Sequence, residues 1–170
     1  MQNQAISRLW KEYYARIVFY IRHSFPSLGN EAEDLCQEVF VRAQASPEIS
    51  WDGISARPWL YTVARNLCID SLRKGGKRDH HLADADGVGI EDPRADTVAE
   101  LERKSAKDSV AASIARLKPA DREICYLYYF EEMKTTEIGR LVHRPSGTIK
   151  YRLFRIRATL KKHLEAMHGT

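Results

Sequence analysis

Residues 144–164 read Arg144-Pro-Ser-Gly-Thr-Ile-Lys-Tyr-Arg-Leu-Phe-Arg-Ile-Arg-Ala-Thr-Leu-Lys-Lys-His-Leu164, a stretch with seven Lys or Arg and no acid. An α-helix turns about 100° per residue, so Ile149, Leu153, Ile156 and Leu160 fall on one narrow stripe that must pack inward. The opposite side then carries Tyr151, Phe154, Arg155 and Lys162, with Lys150, Arg157 and Lys161 on one flank and Arg152 on the other. Two exposed aromatics among cations make a poor solvated surface. Pro145 fits the first turn of this helix, where its missing amide hydrogen costs nothing.

Upstream, Thr135 to Val142 predicts a short helix with Ile138, Leu141 and Val142 on its inner side, followed by a tight turn at His143 to Pro145. The pair reads as a helix-turn-helix, whose second helix enters the major groove while surrounding cations neutralise phosphates. A basic amphipathic helix could also cover a core or lie on an anionic membrane. The turn and the short preceding helix decide against the membrane.

The net charge of +4 on 170 residues is modest but uneven. From Arg116 to Glu165 there are 12 Lys or Arg against 6 acids, whereas from Asp84 to Glu102 there are 7 acids against Arg94 alone, with Gly87, Gly89 and Pro93 among them. That composition predicts a solvated linker. The expected class is all-α: a small helical domain over residues 1–76, a flexible linker over 77–108, and a helix-turn-helix domain over 109–170.

In the first domain, Ile6, Leu9, Trp10, Tyr13, Ile17, Tyr20 and Ile21 keep helical spacing up to Phe25-Pro26. After a turn at Leu28-Gly29-Asn30, the segment Glu31 to Ala43 directs Leu35, Cys36, Val39, Phe40 and Ala43 inward and Asp34, Gln37 and Glu38 outward. Its acidic face serves either solubility or docking. A third helix spans about Pro58 to Lys74 and is closed by Gly75 and Gly76. Leu60, Val63, Ala64 and Leu67 form its core stripe, while Trp59, Tyr61, Ile69 and Leu72 add apolar surface elsewhere, interleaved with Arg65, Asn66 and Arg73. Such a face suits unpaired bases, which need stacking surfaces and charge. Alternatively, Trp59 and Tyr61 complete a three-helix core. Beyond the linker, Val110, Ile114 and Leu117 predict an inward stripe, followed by a helix from Asp121 to Phe130.

Cys36, Cys68 and Cys125 lie far apart in apolar-periodic segments, with neither a CxxC pair nor a disulfide framework, so buried reduced thiols are expected. His80 and His81 have no nearby ligand pair, so neither a metal nor another cofactor is expected. No Ser/His/Asp set or phosphate-binding glycine loop is visible, which argues against an enzyme. There is no cleavable apolar leader and no run of about 18 apolar residues, so membrane insertion is not expected and a cytoplasmic location is.

The motifs resemble those of bacterial sigma factors of the extracytoplasmic function (ECF) type. Ala32-Glu-Asp-Leu-Cys-Gln-Glu-Val-Phe-Val-Arg-Ala43 is similar to the family's core-polymerase-binding helix, and Arg57-Pro-Trp-Leu-Tyr-Thr-Val-Ala-Arg-Asn-Leu-Cys-Ile-Asp-Ser-Leu-Arg73 to its promoter-melting helix. Leu117-Lys-Pro-Ala-Asp-Arg122 and Gly147-Thr-Ile-Lys-Tyr-Arg-Leu-Phe-Arg-Ile-Arg157 resemble the start and the recognition helix of its second domain. The resemblance implies that Asp34, Gln37 and Glu38 contact core RNA polymerase. It puts Trp59, Arg65, Asn66 and Arg73 at the −10 element of promoter DNA, and Lys150, Tyr151, Arg152, Phe154 and Arg155 at the −35 element. It also implies an anti-sigma factor. A conventional helix-turn-helix regulator is the alternative, but it needs no acidic docking helix beside Trp59, Arg65 and Asn66. Three positions depart from the family pattern: Glu132 replaces a common glycine, Tyr128 stands where some relatives have a DNA-contacting arginine, and Lys134 replaces a favoured capping serine.

Overall fold

A computed structural model describes residues 2–47, 49, 51, 56–76 and 106–169, and among these the regular structure is entirely helical. The chain divides into two compact units, Met1–Asp79 and His80–Thr170. Most of the expected linker, with His80 and His81, lies outside the described residues.

The first unit contains α1 (Gln2–Ser24), a short 3₁₀ turn (Pro26–Glu31), α2 (Ala32–Gln44) and α3 (Ala56–Lys74). Helix α1 stops before Pro26, as its sequence predicts, and Phe25 turns inward with its amide still donating to the Ile21 carbonyl at 2.8 Å. Ala32 and Ala43 on α2 are buried, and small side chains there permit close helix packing around Cys36, Val39 and Phe40. Leu35 is half-buried.

Helix α3 is buried on more of its circumference than its single predicted stripe allows. Tyr61, Ile69 and Leu72 are in the core with Leu60, Ala64 and Leu67, whereas Val63 is half-buried. The Tyr61 ring meets Tyr20 of α1 edge-on at 5.1 Å, and Tyr20 meets Phe25 at 6.0 Å. Tyr61 is therefore a core residue, and truncating such an aromatic costs about 3–5 kcal/mol. The helix starts two residues before Pro58, which sits in the first turn, where no intrahelical hydrogen bond is lost. It ends as expected, with Gly76 at φ 64°, a conformation glycine adopts without a Cβ penalty.

The second unit contains α4 (Ala106–Ala115), α5 (Pro119–Tyr129), α6 (Thr135–Val142) and α7 (Ser146–His168). The stripe expected on α4 is rotated: Val110 is 43% exposed and Ile114 half-buried, while Ser109, Ala112 and Ser113 face inward with Leu117 beyond the helix end. Small side chains let α4 approach α7, where the Ser113 hydroxyl donates to the Met167 sulfur at 3.8 Å. Arg122 secures the next bend by donating from Nη2 to the Ala115 and Leu117 carbonyls at 2.8 and 3.0 Å.

Candidate polymerase and nucleic-acid interfaces

The turn between α6 and α7 aims the basic helix. His143 occupies the left-handed region at φ 57°, and the Arg144 amide donates to the Gly139 carbonyl at 2.8 Å. A Cβ on Gly139 would lie 2.5 Å from the Arg144 carbonyl oxygen, so this close approach requires glycine. Pro145 stands one place earlier than expected, at the N-cap, where its lack of an amide hydrogen is equally harmless. Leu160 is half-buried, while Ile149, Leu153 and Ile156 are fully buried and fix the rotation of α7.

With that rotation, Tyr151 and Phe154 are 62% and 67% exposed, flanked by exposed Lys150 and Arg155. The Arg155 guanidinium lies 6.0 Å from the Tyr151 ring centre. These four side chains form one exposed aromatic and cationic surface. Arg152 does not join it: only 18% of its side chain is exposed, and Nη1 approaches the Asp121 carboxylate at 3.5 Å. This pair ties α7 to the start of α5.

The turn from α5 to α6 is irregular in a way the sequence signals. Glu132 has φ 52°, a region that favours glycine. At the N-cap of α6 the Lys134 amide donates to Glu137 Oε2 at 2.8 Å, the return half of a capping box. The Lys134 ammonium has no acceptor, so the forward half is missing.

In the first unit Asp34, Gln37 and Glu38 share the exposed face of α2, and Glu38 pairs with Arg42 of the same helix at 3.0 Å. Exposed Val41 extends that face by one turn. On α3, Trp59, Asn66 and Arg73 recur at intervals of seven and align along one side. Asn66 and Arg73 are exposed, and Trp59 is half-buried with its ring edge-on to buried Trp51 at 5.0 Å. Arg65 is 5% exposed, so its expected display beside Asn66 is corrected: it lies about 100° around the helix, on a packed side.

The three thiols are free and buried. Burial pushes Cys36 up to about 12 and Cys125 up to about 11, with Asp121 adding to the latter shift. Among the described residues no group of three His, Cys, Asp or Glu could hold a metal, and no helix is long and apolar enough to cross a membrane.

The family described as Sigma-70 region 2 matches residues 9–78, and the one described as Sigma-70, region 4 matches residues 107–160. The ECF RNA polymerase sigma factor SigW of Bacillus subtilis is 34% identical over 152 residues, covering 81% of this chain and 78% of SigW. The chain belongs to the ECF sigma factors of the sigma-70 family. SigM of B. subtilis is 32% identical over 130 residues, covering 76% of this sigma factor and 77% of its own length. SigE of Mycolicibacterium smegmatis is 30% identical and covers 99% of this sigma factor and 66% of SigE. A solved structure of the sigma factor RpoE in complex with the anti-sigma factor NepR from Bartonella quintana has a TM-score of 0.66 at 21% identity. That match covers 94% of this chain and 96% of RpoE, and it shows a shared fold.

Sequence reasoning overlooked Tyr129, which is exposed and accepts a hydrogen bond from Arg157 Nε at 2.8 Å. The signal was present as a tyrosine pair at the end of the α5 apolar pattern.

Proposed function

We infer that this ECF sigma factor binds core RNA polymerase through α2, captures the opened −10 element on α3, and reads the −35 element with α7. The observation that carries the reading is the separation of two exposed chemistries on one small helical unit. An acidic face on α2 bears Asp34, Gln37 and Glu38, and an aromatic, amide and cationic row on α3 bears Trp59, Asn66 and Arg73. Asp34 and Glu38 disfavour DNA phosphates even with Arg42 of the same helix paired to Glu38, so the α2 face suits a basic protein surface. The α3 row offers a stacking ring, an amide able to pair with a base edge, and a charge for phosphate.

On α7, Lys150 and Arg155 supply donors for base edges or phosphates, and Tyr151 and Phe154 supply apolar surface for thymine methyls. The work of the protein is binding and positioning, and it takes place in the cytoplasm with the polymerase. An anti-sigma factor holds it inactive until its signal arrives.

Gel filtration of the full chain with core polymerase tests the docking assignment. The wild-type chain is expected to co-elute, and the Asp34→Arg, Glu38→Lys protein to elute alone while keeping its melting temperature. Equal co-elution of both proteins would remove α2 as the docking helix.

A further inference from the structure

Tyr129 is the last residue of α5, it is 46% exposed, and the proposed function gives it no role. Its hydroxyl accepts a hydrogen bond from Arg157 Nε at 2.8 Å, and the Arg157 guanidinium carbon lies 5.8 Å from the centre of the Tyr128 ring. The two tyrosine rings brace each other edge-to-face at 5.0 Å. The Tyr129 oxygen is thus held at the surface beside a guanidinium, which commits one of its five N–H donors to that bond.

Tyr129 lines a groove together with three cations, Lys134, Lys150 and Arg157, against one carboxylate, Glu132, an excess of two positive charges. Position also separates Tyr129 from the other tyrosines of this unit. Tyr126 is buried and Tyr128 half-buried, and the more exposed Tyr151 lies inside α7, where an enzyme could reach its backbone only by unwinding the helix. Tyr129 stands where α5 gives way to the irregular turn at Glu132, and helix ends open locally at the lowest free-energy cost.

We propose that Tyr129 is a phosphorylation site and that its phosphate switches off the DNA-binding face of α7. The effect on DNA rests on the reading of α7 as the helix that binds the −35 element. In the transfer, the phenol oxygen bonds to the γ-phosphorus of a nucleoside triphosphate and the bond from that phosphorus to the β–γ bridging oxygen breaks. The nucleoside diphosphate leaves, and the phenol proton passes to a base of the kinase. A phosphotyrosine carries about −1.5 to −2 charges at pH 7, which offsets the cationic excess of the groove. Its three terminal oxygens are strong acceptors, and the Arg157 guanidinium beside them is a planar fork suited to phosphate. The modified groove then presents an anion to DNA, and Arg157 is tied to α5.

The full chain carrying phosphotyrosine at position 129, made by genetic code expansion, is compared with the unmodified chain for melting temperature and for binding to a −35 duplex. The phosphorylated chain is expected to bind severalfold more weakly and to melt at a higher temperature, and Arg157→Gln to abolish the gain in melting temperature. Mass spectrometry of the chain isolated from its source cells under phosphatase inhibition, through growth and stress, is expected to find phosphate on Tyr129. An unmodified chain that fails to bind the duplex would remove the α7 reading and the effect on DNA with it. Equal and measurable binding by the two chains overturns this proposal alone, as does a gain in melting temperature that survives Arg157→Gln, or a Tyr129 without phosphate in every condition.

Discussion

Arg152 of α7 and Asp121 of α5 face each other at 3.5 Å, with 18% and 22% of their side chains exposed. Two cations close together on the basic helix thus have different roles. Arg155 is displayed with Tyr151, and Arg152 anchors the helix to the body of its unit.

Arg152→Gln is therefore expected to lower the unfolding free energy by about 0.5–1 kcal/mol, as for a partly exposed ion pair. Its effect on base preference should be nil. Arg155→Ala should do the opposite, costing about 1–3 kcal/mol at one base position with unchanged stability. Urea denaturation and binding to a panel of −35 variants measure the two quantities. An Arg152→Gln protein of full stability with altered base preference would reverse the assignment.

Capping at α6 offers a change in the other direction. Lys134 has extended backbone angles of −68° and 151° and no side-chain acceptor, while Glu137 already completes the return bond. Lys134→Ser should supply the missing acceptor and stabilise the fold by about 1 kcal/mol, the usual worth of an N-cap. Chemical denaturation checks this, and a destabilised Lys134→Ser protein would show that the Lys134 side chain supports the turn in some other way.

These residues also mark how far the sequence could be read. The inward Ile149, Leu153 and Ile156 repeat determines how α7 is rotated, because burial of a single stripe follows from helical periodicity alone. The exposed face with Lys150, Tyr151, Phe154 and Arg155 follows from it, as does the acidic face of α2. Periodicity says nothing about partners on other helices, so the engagement of Arg152 by Asp121 was invisible. It also fails on α3, where contacts on several sides bury Tyr61, Arg65 and Ile69 and leave no simple stripe. On α4 the largest side chains misled: packing selected Ser109, Ala112 and Ser113, because small residues allow the closer approach, and turned Val110 outward.

The buried thiols give the fold an alkaline limit. A thiol in the unfolded chain ionises near about pH 8.5, whereas Cys36 and Cys125 are pushed up to about 12 and about 11 in the fold. Between those values the unfolded state releases protons that the folded state keeps. The stabilisation is therefore complete below the unfolded value and is lost as pH rises through the folded ones. The melting temperature should fall from about pH 9 towards pH 11, and less steeply in a Cys36→Ala, Cys125→Ala protein. Identical slopes in the two proteins would refute the assignment to the thiols.

Promoter opening is the step that distinguishes a sigma subunit from any other DNA-binding helical protein, and the proposed function assigns it to α3. Asn66 is exposed on the same side of α3 as Trp59 and Arg73, and loss of one captured base costs about 1–3 kcal/mol. Run-off transcription with purified core polymerase, with permanganate probing of the same complexes, measures this directly. Specific transcripts and an open −10 element are expected with the wild-type chain, and with Asn66→Ala a loss of opening while polymerase binding is retained. Absence of any chain-dependent transcript from promoters of its source genome, with active core polymerase, would contradict it.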